Sequence, residues 1–106
     1  MAYQWQDFVG LAEIQNACNN IWNIAATDYV QCKEKLAEAY EICTAEVLSV
    51  EKETYQPKIQ AMIIRIDTAC KTIDNLMNAV IAAANQKNSA LNAEAERKYY
   101  AEQNQQ

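Results

Sequence analysis

The chain has 106 residues, a formal net charge of −5 and no histidine, with 51% hydrophobic and 22% charged residues. That length allows one domain at most, 1–106, and a single glycine and single proline cannot supply the turns of an all-β or α/β fold. The missing histidine removes the commonest general base, the zinc triads and the Ser-His and Cys-His nucleophile pairs.

Abundant Ala, Glu, Gln, Ile and Leu point instead to helix, and the fold class expected is all-α. The nine basic residues are scattered among acids and form no stripe, which argues against nucleic acid and against an anionic membrane surface. The most hydrophobic stretch, 61–84, is interrupted by Arg65, Asp67, Lys71 and Asp74, whereas a membrane span needs about 20 mostly apolar residues. Met1 to Asp7 carries no basic region and no long apolar run comes after it. The expectation is a soluble chain, cytoplasmic or exported by a route without a cleaved signal.

In chain order, the first half shows an apolar register at Leu11, Ile14, Cys18, Ile21, Ala25, Tyr29, Cys32, Leu36, Ala39, Cys43, Val47 and Val50. Steps alternating between three and four are the seam of a helix packed lengthwise on another. Phe8, Trp22, Ile24, Val30, Tyr40, Ile42 and Leu48 widen that seam beyond a coiled-coil stripe, so more than one neighbouring helix is expected. Asp28 stands three residues before Gln31, as in a capping box, but the seam continues past it, which reads as a continuous helix or a slight kink.

Pro57 then interrupts the pattern, because proline lacks an amide donor and clashes with the preceding turn inside a helix. It also turns Gln56 away from helical dihedrals. The register predicts two long antiparallel helices, about 3–53 and 57–103, joined at Glu53–Pro57. The second seam is Ile59, Met62, Ile66, Cys70, Ile73, Met77, Val80 and Ala84, then Leu91 and Ala95. It skips at Lys87 within the polar run Asn85–Ser89, where Ser89 could cap a separate last helix. The tail 102–106 is polar and expected to fray. A short echo, Ile-x-x-Ala-Cys-x-x-Ile at Ile14–Ile21 and Ile66–Ile73, supports a second architecture, a compact four-helix bundle with breaks near 27, 56 and 88.

A turn near Tyr55 sets residues at equal height where their numbers sum to about 111. Tyr99 and Tyr100 then fall near Trp5, Phe8 and Leu11, Trp22 meets Ser89, Ala90 and Ala93, and Cys43 falls near Cys70. Trp5, Phe8, Trp22, Tyr99 and Tyr100 are the candidate partner-binding residues, since aromatic anchors dominate interfaces. The sequence implies no cofactor. Cysteines without C-x-x-C spacing read as small buried apolar residues; a Cys43–Cys70 thiol pair binding a soft metal is the alternative. Glu34, Glu38 and Glu41 share a helix face with Lys33 and Lys35 as a solvated surface.

Size, charge and helix pairing are shared with the secreted Trp-x-Gly proteins. Their mid-chain Trp-x-Gly is here Thr54-Tyr55-Gln56-Pro57, and their C-terminal Tyr-x-x-x-Asp/Glu is missing, since Gln103 and Asn104 come after the tyrosines. No family is assigned. The function expected is non-enzymatic: a helical structural or interaction protein, an assembly subunit, secretion-related helper or adaptor, that packs its helices against itself or a protein partner. The alternative is a thiol-dependent metal or redox protein.

Overall fold

Backbone hydrogen bonding sorts the chain into helices alone, with no strand among the described residues. A computed structural model of the chain describes residues 2 to 104. Helix α1 spans Leu11–Ile24, a π-turn covers Ala25–Tyr29, and α2 spans Val30–Ile42. A corner containing the 3-10 turn Glu46–Leu48 leads into α3, Lys52–Asn104. The class is all-α, built from two long helical stretches as the periodicity requires. Their boundaries lie elsewhere than the breaker residues indicate. Met1, Gln105 and Gln106, which belong to the segments read as signal-less and as a fraying tail, lie outside the described residues.

The first helix does not begin near residue 3. Residues 2–10 are non-helical and extend to Gly10, whose φ of +75° is a left-handed conformation that side chains disfavour. The turn into α1 is built by Asp7, whose Oδ1 accepts from the Leu11 amide at 2.8 Å and the Val9 amide at 3.2 Å. Leu11 N–H would otherwise be one of the orphan donors of a helix start.

The chain reverses at residues 43–51, not at 53–57. Thr44 Oγ1 donates to the Glu41 carbonyl at 2.6 Å, and Ala45 swings to an extended conformation with ψ 147°. The carbonyls of Ile42, Ala45 and Glu46 accept three-residue bonds from Ala45, Leu48 and Ser49. These tight bonds end α2 without glycine or proline. Pro57 instead sits as the sixth residue of α3. There its ring forfeits one bond, the amide that would reach the Glu53 carbonyl, and Gln56 stays helical.

The break considered near 27 is a π-turn in an otherwise continuous helical stretch. Thr27 Oγ1 donates to the Asn23 carbonyl at 2.9 Å, a back-bond that bends helices. A π-turn accommodates one extra residue. Tyr29 and Cys32, both on the sequence seam, are exposed, and the inward positions resume at Lys33, Leu36, Tyr40 and Cys43. No break occurs near 56 or 88, because α3 is unbroken through both, so the four-helix alternative is overturned.

The chain divides into two compact units: one joins the residues up to Asn19 with those from Leu76 onward, and the other comprises Asn20–Asn75. The second unit is a helical hairpin. Across it, Gln56 Nε2 donates to the Tyr40 carbonyl at 3.2 Å and Lys33 Nζ to Asp67 Oδ1 at 2.8 Å. A turn at Tyr55 would have set Tyr40 opposite Lys71. In the first unit, Cys18 and Met77 are buried together with two asparagines, Asn88 and Asn92.

Candidate interaction surfaces

In the first unit the N-terminal segment is clasped by α3. Asn92 is fully buried, and all four hydrogen-bonding positions of its amide are used. Its Oδ1 accepts from the Tyr3 hydroxyl at 2.9 Å and the Gln6 amide at 2.8 Å. Its Nδ2 donates to the Gln6 carbonyl at 2.8 Å and to the Asn88 carbonyl at 2.9 Å. One turn earlier, Asn88 Nδ2 donates to the same Gln6 carbonyl at 3.0 Å and Asn88 Oδ1 accepts from the Phe8 amide at 2.7 Å. A non-helical segment must satisfy its own peptide groups when it is covered, and the two asparagines at i and i+4 do that.

Sequence reasoning missed both residues, taking 85–89 as a polar interruption. The available signal was phase: Asn88 and Asn92 continue the inward positions Ala84, Leu91 and Ala95 of an uninterrupted helix. An aromatic cluster closes the same end, built on Tyr3 instead of Trp5 and Leu11. The Tyr3 and Tyr99 rings are tilted at 5.9 Å, Tyr99 and Tyr100 meet edge-on at 5.2 Å, and the Tyr3 amide donates to the Tyr100 hydroxyl at 3.3 Å. Trp5 is left 60% exposed, and Phe8 lines a shallow cleft with Leu91 and Ala95.

In the second unit Trp22 lines a cleft with Ala25, Ala26, Val30, Cys70, Lys71 and Asp74, where the revised register puts it. Its indole Nε1 is buried without a hydrogen-bond partner among the described residues. A second cleft, of about 210 Å³, is lined by Tyr29, Met62, Arg65, Ile66 and Ala69. Tyr29, the last residue of the π-turn, is exposed on its lining beside α3. At the corner, Val47 and Val50 are 84% and 80% exposed, between the exposed Glu46 and Glu51.

All four cysteines are free thiols. Cys43 lies at the end of the hairpin where Tyr40 meets Gln56, whereas Cys70 lines the Trp22 cleft. With Cys43 level with the first turns of α3, the two thiols are separated by about 20 Å of helix, so the structure does not bring this pair together. Among the described residues no group of three or more His, Cys, Asp or Glu is arranged to hold a metal ion. Of the acidic face, Glu38 pairs with Lys35 at 3.3 Å within one helix turn. Asp67, hydrogen-bonded to Lys33, holds that ammonium above its ordinary pKa. No helix among the described residues is long and apolar enough to cross a membrane.

Compared with protein-family models, with curated proteins and with solved structures, the chain matches none of them.

Proposed function

We propose that this chain is a non-enzymatic structural or interaction protein, an assembly subunit, helper or adaptor, that works by packing its helices against further copies or a protein partner. The observation that carries this reading is the distribution of apolar side chains. Among the described residues, only Cys18, Ala25, Cys43 and Met77 form buried apolar positions. Ile24, Tyr29, Ile42, Val47, Val50, Met62, Ile64 and Leu76 all stand exposed. Apolar surface of that extent costs roughly 25 cal/mol for each Å² left in water, and contiguous patches mark interaction sites. Aromatic and methionine side chains such as Trp5, Phe8, Tyr29 and Met62 are the types that interface centres favour.

Light scattering over a concentration series, with and without reductant, tests this. A mass above 12.0 kDa that is insensitive to reductant is the expected result. A chain that stays monomeric, and captures no helical partner when presented with its native cell extract, would refute it. A mass that depends on reductant would shift the assembly chemistry to the thiols.

A further inference from the structure

We infer that the cleft of Tyr29, Met62, Ile66 and Ala69 receives the Val47–Val50 corner of a second copy of this chain, and that the contact is reciprocal. This rests on the self-association reading above and names the surface and occupant. The two halves of the contact belong to the same unit and complement each other. The cleft is apolar and open, with Arg65 on its lining. Arg65 forms no ion pair among the described residues, whose salt bridges engage Lys33, Lys35 and Lys98.

The corner supplies what the cleft lacks. Val47 and Val50 are the two most exposed large apolar side chains among the described residues, too short to anchor in anything deep but suited to a shallow groove. Glu46 and Glu51 flank them, opposite in charge to Arg65. Complementary charges at an interface rim steer association and fix register.

Closure arises from spacing. Met62 and Ala69 lie 11 and 18 positions beyond Glu51 in sequence, or about 17 and 27 Å along α3. Two copies antiparallel about the first turns of α3 bring each corner to the other's cleft at once. That is an isologous arrangement, in which one patch meets itself across a twofold axis and growth stops at two. The exposed Tyr55 and the half-buried Ile59 fall inside the overlap and extend the apolar contact.

The test is sedimentation of four proteins over a concentration series: wild type, Arg65→Glu, Glu46→Lys with Glu51→Lys, and the three substitutions combined. All three sites are exposed, and circular dichroism monitors the helices. The wild type should dimerise, either one-sided reversal should weaken the dimer at least about tenfold, and the combined reversal should restore it. Independently of any variant, isotope-filtered NMR on mixed labelled and unlabelled wild-type chains should give contacts between the Val47 and Val50 methyls and Met62 or Tyr29. An assembly that ignores the reversals and lacks those contacts would overturn the inference and leave self-association standing. A wild type that stays monomeric throughout would remove both.

Discussion

The side-chain amide of Asn92 and the peptide of Gln6 pair face to face, each donating to the other at 2.8 Å. This is the hydrogen-bond pattern of two paired strands, made between a helix side chain and an extended backbone. It reads peptide groups and not side chains, so Gln6 itself is free to point outward, and it is exposed. The clasp fixes where the N-terminal segment runs and therefore which aromatic residues it leaves facing solvent.

Replacing Asn92 with Ala leaves the Gln6 amide and the Tyr3 hydroxyl without their partner, and the Gln6 carbonyl with Asn88 Nδ2 alone. Leaving buried polar groups unpaired costs about 1–3 kcal/mol, and the segment is expected to detach and recover those bonds from water. Hydrogen exchange at the Gln6 and Phe8 amides should accelerate to near the open-chain rate, while urea unfolding of the helices shifts by no more than that amount. Asn92→Asp keeps the acceptor and loses both donors. Because it buries a carboxylate, it should be more damaging at pH 7 than at pH 4. Equal damage at both would mean that the donors, and not the charge, set the cost.

Asp7 titration should be visible in the start of α1. Its carboxylate is held below the ordinary value of 3.8, chiefly by the hydrogen bond from the Leu11 amide, with burial opposing and the Val9 amide adding to it. A depressed folded-state pKa contributes stability that is present above 3.8 and lost as pH falls through the lower folded value. The Leu11 and Val9 amide shifts should therefore move with an acid midpoint below that of a free aspartate. In Asp7→Asn, which keeps an acceptor without a charge, they should be flat across the same range.

Pro57→Ala should stabilise the hairpin. The substitution restores the amide that reaches the Glu53 carbonyl and removes the ring's clash with it, an effect of up to about 3 kcal/mol in a helix interior. The gain is partly offset by the greater freedom alanine gives the unfolded chain. Thermal unfolding by circular dichroism should show a higher midpoint and no loss of helix. A marked loss of helix would mean that the proline is needed to start α3.

Deleting Ala26 removes the extra residue from the π-turn. The helix can then close with ordinary bonds without rotating α2, so the shortened chain should unfold within about 0.5 kcal/mol of the parent. The same deletion at Glu38 has no bulge to absorb it, turns Tyr40 and Cys43 off the inward face, and should cost several times as much. Urea titrations of the two deletions make the comparison. The first deletion should also draw Tyr29 back toward the seam and close the cleft beside Met62.

The helical class and the breadth of its apolar face were determined by the sequence alone. Both arise from local, additive properties: side-chain propensity, one glycine, one proline, and steps of three and four that place Leu11, Ile14, Cys18 and Ala25 inward together. The aromatic closure of one end was also legible in Tyr99 and Tyr100. Tertiary structure alone decided which side chains meet, while the helix ends follow from short-range bonds at Asp7 and around Thr44 and Ala45 that no apolar period displays. Pro57 disfavours a helix that runs through it without forbidding one, and here tight bonds around Thr44 and Ala45 had already reversed the chain. One lost bond was therefore tolerable, and every cross-hairpin pair moved to a new register. Asn88 looks like part of an interruption at 85–89, because asparagine is a weak helix former on its own, and Asn92 carries no mark that sets it apart. Their burial depends on partners 80 or more positions away, the peptide groups of Gln6 and Phe8, and no local pattern encodes a hydrogen bond at that separation.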